Sequence, residues 1–204
     1  RECGSTPHVR AKTRMSFDAH GDLCLGFWAE ALAAAPVSLP PRASVLEIGC
    51  AEADWVTPML AVRPDLHITA IDWRACTRPA HQVIRGDVRV HPFECDSFDA
   101  IVSVSAIEHI GLGSYDQDPL DADGDTVTMA RAYTWVKPGG WCYLDVPYRP
   151  QGPYSVNSNF RAYDPEALQT RLIQSAPWRV RWQQTMGQPR GDGPYVALVL
   201  EKPA

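Results

Sequence analysis

Apolar positions change their spacing several times along the chain. From Phe17 to Ala35, Leu23, Phe27, Ala31 and Leu32 fall near one face of a helix, and the Pro36–Pro41 stretch ends it. Short dense apolar runs then take over. Ser44–Ile48 (SVLEI) stops at Gly49, as a strand buried on both faces does. His67–Asp72 (HITAID) and the β-branched Phe98–Val104 (FDAIVSV) read the same way. Gln82–Arg85, followed by Gly86-Asp87, and Trp141–Val146 complete five predicted strands. Between them lie helical stretches. One closes before Pro64, with Thr57-Pro58 as an N-cap and first-turn pair. Asp125–Val136 is capped by Asp125 or Thr126 and ended by Lys137-Pro138-Gly139-Gly140. Pro165–Gln174 is a short helix capped by Asp164. Val180–Thr185 and Tyr195–Glu201 are two late strands with no helix between them.

Strands alternating with helices over residues 44–146 predict an α/β domain with a single Rossmann-like, doubly wound, mostly parallel sheet. The two late strands add a C-terminal antiparallel hairpin at its edge. Residues 1–43 read as an N-terminal helical cap and 44–204 as the ligand-binding domain. The chain has 204 residues, enough for one sizeable core. No apolar run approaches the roughly 20 residues that span a bilayer. With 19 Lys and Arg against 24 Asp and Glu, the net charge is −5. That balance disfavours nucleic acid as a partner, since phosphate neutralisation needs cations. Six cysteines without a C-x-x-C pair exclude a zinc knuckle or thioredoxin motif. With no apolar leader at the N-terminus, they suggest a reducing, cytoplasmic setting.

In such sheets ligands bind beyond the carboxyl ends of the strands. Glu47-Ile48-Gly49-Cys50-Ala51 turns out of the first strand, Gly49 permitting the turn and Cys50 and Ala51 a close backbone approach. Asp72 closes the second strand about 20 residues on, where a carboxylate can accept both ribose hydroxyls, with Trp73 beside it. Asp87 and Val88 follow the third strand, Asp87 placed to bond an adenine amino group. Ser103, Ser105 and Glu108 follow the fourth and line the same crevice.

These stretches resemble the motifs of class I S-adenosylmethionine-dependent methyltransferases. VLEIGCA resembles their first motif, AID the acidic end of the second strand, and GDV the adenine side. FDAIVSVSAIEHI resembles the fourth-strand motif, and WVKPGGWCYLDVP the helix, turn and strand that follow it. IEHIGLGSY with DPLDADGD is similar to a little-characterised bacterial subgroup of that superfamily. The resemblance covers about residues 44–147 and implies S-adenosyl-L-methionine as cofactor, bound by Glu47, Gly49, Cys50, Ala51, Asp72, Trp73, Asp87, Val88, Ser103 and Ser105. Only the first glycine of the family's G-x-G-x-G is kept, in Gly49-Cys50-Ala51-Glu52-Ala53, and the short stretch from Trp73 to His81 leaves little room for the second crossover helix. A dehydrogenase is disfavoured because the dinucleotide fingerprint is missing. Asp145-Val146-Pro147-Tyr148 follows the fifth strand, whereas the D-P-P-Y signature of amino-group DNA methyltransferases follows the fourth.

The expected activity is methyl transfer to a small molecule, for instance a hydroxyl of a sugar-containing or secondary metabolite. RNA methylation and non-catalytic cofactor binding are the alternatives. His109, beside Glu108, is the candidate base, and His20 a second one. Tyr115, Tyr148 and Tyr163, with Arg149 and Arg161, fall on loops beyond the fourth and fifth strands and are candidate acceptor contacts. Asp118, Asp121, Asp123 and Asp125 form an acidic loop. Thr126 stands where a calcium loop needs glycine and Ala132 where it needs a bidentate Glu, so turn chemistry and no metal is expected.

Overall fold

The computed structural model describes residues 37–51, 54–76, 80, 82–115, 118–187 and 194–204. The predicted N-terminal helix and His20 lie outside these residues, so the cap of residues 1–43 is described only from residue 37. The first strand is β1 (Ser44–Ile48), followed by α1 (Val56–Val62), β2 (His67–Asp72), β3 (Gln82–Arg85) and β4 (Phe98–Val104). A tight 3-10 turn over Ile107–His109 leads to α2 (Gly124–Trp135) and β5 (Val136–Pro147). Then come a short pair, β6 (Ser155–Val156) and β7 (Arg161–Ala162), and α3 (Pro165–Ala167), continued by a widened turn over Leu168–Ile173. β8 (Arg179–Met186) and β9 (Tyr195–Glu201) close the sheet.

The seven-stranded sheet has the order β3-β2-β1-β4-β5-β9-β8. β1 to β5 are mutually parallel, and β9 runs antiparallel to both β5 and β8. The order reverses direction between β1 and β4, where this architecture opens a crevice. Side chains alternate between two cores. Leu46, Ile48, Ile101, Leu144 and Val146 pack with Met129, Ala132 and Trp135 of α2. Val45, Ile68, Val102 and Tyr143 pack on the opposite face with Trp55 and Val56.

The first four strands and β9 keep their predicted bounds. α1 starts after the glycine turn but one residue before the expected cap: Trp55 takes the N-cap position and Thr57 lies inside the first turn, where Asp54 accepts from its backbone N–H at 3.0 Å and its hydroxyl at 2.8 Å. Asp164 caps α3 through the Ala167 N–H at 2.7 Å. Two more expectations are corrected. α2 begins at Gly124, so Asp125 sits inside its first turn as a buried residue and Asp123 takes the cap position. Lys137-Pro138-Gly139-Gly140 does not stand as a free turn, because β5 pairs from Val136 onward, opposite Phe98, and the irregular register absorbs those residues before Trp141. Gly139 N–H donates to Lys202 O, and Lys202 N–H returns a bond to Gly140 O.

Candidate functional site

The turn out of β1 is built on Gly49, at φ +85°, with its N–H donating to Ile71 O at 2.9 Å. A Cβ on Gly49 would overlap the Cβ of Ala106, in the loop just beyond β4. The missing side chain therefore makes room for the neighbouring loop. Cys50 is fully buried. Burial above all, then a hydrogen bond with Cys76 and the nearby Glu47 carboxylate, pushes its thiol pKa far up. Cys76 Sγ donates to Cys50 O at 3.1 Å. Glu47, on β1, is itself buried.

Asp72 lies at the end of β2, 7% exposed, and ties the turn to itself: Ala51 N–H donates to its Oδ2 at 3.0 Å. Arg74 meets the same carboxylate with its backbone N–H at 2.8 Å, its Nε at 3.2 Å and its Nη2 at 3.3 Å. Trp73 is half-buried, and its carbonyl accepts from Arg85 Nε. The same spacing recurs after β3. Asp87 accepts from Arg89 N–H at 2.9 Å, from Nε at 2.9 Å and from Nη2 at 2.9 Å. Arg89 is buried and also grips Asp118 Oδ1 at 2.8 Å and Pro119 O at 2.9 Å. Both oxygens of Asp87 are thus committed to Arg89. Val88 is in the core.

Beyond β4 a buried polar set closes the floor of the crevice. Ser105 adopts φ +48°, a conformation that costs a non-glycine residue about 1–2 kcal/mol. Its N–H donates to Asp145 Oδ1 at 3.0 Å and its hydroxyl to Glu108 Oε1 at 2.8 Å. Asp145 is fully buried on β5 and also accepts from Tyr143 Oη at 3.0 Å. The sequence reading missed it, although a carboxylate inside the apolar run CYLDVP was the available sign. Ser103 is 1% exposed, and its hydroxyl is buried without a hydrogen-bond partner.

Glu108 is buried, and its Oε1 lies 3.8 Å from His109 Nε2. His109 Nδ1 is hydrogen-bonded to Asn159 O. A carbonyl only accepts, so Nδ1 carries the proton and Nε2 is the basic nitrogen of the neutral ring. The His109 ring packs beside Tyr115, at 5.8 Å between centroids. Arg74 stacks its guanidinium on Tyr115 at 4.0 Å. Ser114 Oγ reaches Ser158 O and Asn159 O. The loops after β2, β4 and β5 therefore converge at one mouth.

The other predicted acceptor contacts separate. Tyr148 is buried and Arg149 is exposed. Arg161 and Tyr163 are corrected: both are fully buried. Arg161 Nη1 donates to Ile110 O at 2.7 Å and Glu108 O at 3.3 Å, and Nη2 to Asp121 O and Ala122 O at 3.2 Å each. Tyr163 Oη donates to Asp125 Oδ2 at 2.8 Å, and burial, then Asp125, raises its pKa well above the ordinary range. Arg171, absent from the sequence reading, holds Asp125 at 2.6 and 2.9 Å. This network ties the acidic loop to β7 and to the widened turn after α3. Asp118 likewise accepts from the Gly111 and Gly113 N–H groups. Among the described residues no cluster of His, Cys, Asp and Glu has a metal-holding arrangement. A groove of about 450 Å³ runs over this region, lined by Leu112, Leu120, Tyr154, Val156 and Arg171 among others.

Among the described residues no helix is long and apolar enough to cross a membrane. A family model described as a methyltransferase domain matches residues 20–188. No curated protein matches the chain. Solved structures share its fold at low identity. The 1,6-didemethyltoxoflavin-N1-methyltransferase of Burkholderia thailandensis, bound to 1,6-didemethyltoxoflavin and S-adenosylhomocysteine, superposes with TM-score 0.66 at 15% identity, over 92% of this chain and 80% of that one. The Haloferax volcanii complex that contains the Trm112 methyltransferase activator gives 0.63 at 17%, over 90% and 91%. The N-methyltransferase NodS of Bradyrhizobium japonicum, with S-adenosylhomocysteine, gives 0.62 at 14%, over 93% and 90%.

Proposed function

The chain belongs to the methyltransferase-domain family of class I S-adenosylmethionine-dependent enzymes, and we propose that it methylates a small-molecule acceptor with His109 as the base. The family match over residues 20–188 carries the first half of this reading. The small acceptor is supported by the net charge of −5 and by the two neighbours whose names state N-methyltransferase activity.

The residues at the carboxyl ends of the strands fit S-adenosylmethionine. The Gly49-Cys50-Ala51 turn is compact, Asp72 offers a carboxylate at the ribose position, and the buried Ser103 hydroxyl lacks a partner. Glu47, Gly49, Cys50 and Ala51 would flank the methionine part, with Ser103 and Ser105 behind it. Asp72 and Trp73 would hold the ribose, and Asp87 and Val88 would wall the adenine.

When bound, the cofactor supplies an electrophilic methyl group on a sulfonium. The chain's part is to align the acceptor, exclude water and take a proton. His109 Nε2 is the atom that would take it. Asn159 O fixes the ring through Nδ1, and the buried Glu108 carboxylate 3.8 Å away would stabilise the imidazolium formed. Tyr115 would form the adjoining acceptor wall.

Calorimetric titration with S-adenosylmethionine should show binding. Incubation of cell extract with cofactor carrying a labelled methyl group should then put label into low-mass compounds. Ribonuclease-sensitive label would support RNA methylation, and binding without transfer to any fraction would support a non-catalytic binder; either result overturns this reading.

A further inference from the structure

Two acidic residues in the crevice are each followed two positions later by an arginine that returns to them: Asp72-Trp73-Arg74 and Asp87-Val88-Arg89. The two arginines differ in burial. Arg89 is buried and braced by Asp118 and Pro119 O, so its pairing with Asp87 is part of the framework. Arg74 stands at the mouth, with 29% of its side chain exposed, and its head rests on the Tyr115 ring.

An ionised carboxylate offers about four acceptor positions. Asp72 has filled them: Oδ1 takes Arg74 N–H and Nε, and Oδ2 takes Ala51 N–H and Arg74 Nη2. A ribose diol needs two of the four. The Ala51 and Arg74 backbone donors are fixed by the turns that carry them. The guanidinium contacts, at 3.2 and 3.3 Å, are the longest of the set and sit on a flexible stem. They are the pair that a diol would replace.

We propose that Arg74 is a latch on the ribose subsite: it neutralises Asp72, and a ribose docks by lifting the guanidinium off the carboxylate while it stays stacked on Tyr115. Arg74 thereby sets the strength of diol binding without touching the reacting atoms. This rests on the reading that S-adenosylmethionine binds here.

The test is calorimetry with S-adenosylhomocysteine and its 2′,3′-dideoxy analogue on the wild type, Arg74→Met and Arg74→Lys. Methionine keeps an apolar stem against Tyr115 and removes the competing donors. Arg74→Met should bind S-adenosylhomocysteine about tenfold tighter than the wild type, and Arg74→Lys should fall between, since a point charge lacks the fork. The gain should be missing for the dideoxy analogue and should shrink in about 0.5 M salt, where the partly exposed ion pair is screened in the wild type. A merely structural role for Arg74 predicts neither the dependence on the diol nor that on salt. Equal or weaker binding by a folded Arg74→Met protein, with wild-type binding measurable, overturns the latch alone. No binding by any of the three proteins overturns the cofactor reading beneath it.

Discussion

Replacing Gly49 by Ala should damage the fold for two separable reasons. The first is conformational: φ +85° costs an L residue about 1–2 kcal/mol. The second is steric: the new methyl would overlap Ala106 Cβ, and overpacking of this kind costs about 1–3 kcal/mol. Together they predict a loss of about 2–5 kcal/mol for Gly49→Ala. Ala106→Gly alone removes one methyl and adds backbone freedom, a loss of about 0.4–1 kcal/mol. The double variant relieves the overlap and keeps the φ penalty, so it should be more stable than additivity allows by about 1–3 kcal/mol. Urea unfolding of the four proteins, with stability read from midpoints at constant m, measures that coupling. A Gly49→Ala protein within 0.5 kcal/mol of the parent (well under the ~1–2 kcal/mol conformational cost), or a double variant no better than the sum, would refute the packing of this turn on Ala106.

Asp72→Ala should weaken S-adenosylhomocysteine binding more than about tenfold, since charge-assisted hydrogen bonds are worth about 1.5–3 kcal/mol; unchanged calorimetric affinity in a folded variant removes Asp72 from the site. His109→Ala should lower turnover by roughly 10²–10⁴ with cofactor affinity kept, and a parallel loss of both would make the ring a pocket wall. Burial holds the Cys50 thiol far above its ordinary range and the Cys142 thiol up at about 12. At pH 8 both should resist iodoacetamide in the native protein and react on unfolding, while the exposed Cys95 reacts from the start, as peptide mass mapping would show. The Ala167 and then the Tyr154 N–H groups hold the Asp164 carboxyl below its ordinary range. Its contribution is complete above the ordinary carboxylate pKa and is lost as pH falls through the depressed one. The stability advantage of wild type over Asp164→Ala, measured by thermal melts, should therefore be present at neutral pH and fade only in strong acid.

β1, β2 and β4 could be read from the sequence because each is a run of β-branched and aliphatic residues stopped by a residue that breaks it or turns chemical, such as Gly49 or Asp72. The start of β5 could not. Val136 pairs with Phe98 across an irregular register, and Lys202, just beyond β9, bonds the intervening glycines: partners distant in sequence that no local pattern encodes. In the site, Asp72, Ser105, Glu108 and His109 stood out as polar residues at strand ends, where ligands bind. Arg161 and Tyr163 misled for a physical reason: a loop arginine suggests solvent, yet four carbonyls from distant turns converge on this one. Arg74 was overlooked because it belongs to no regular element; only the repeated Asp-x-Arg spacing marks it.

The position of β9 has a consequence for how the molecule is made. Among the described strands it comes last in the chain, yet it lies inside the sheet, between β5 and β8. Until Tyr195–Glu201 arrives, Trp141–Pro147 has an unpaired, apolar edge, and the hydrogen bonds that seven register pairs later satisfy are open to any strand that comes near. A nascent chain halted before residue 195 would thus be an adhesive particle, while seven more residues turn the same edge into the middle of a sheet. Chaperone demand during synthesis should be concentrated in that short interval.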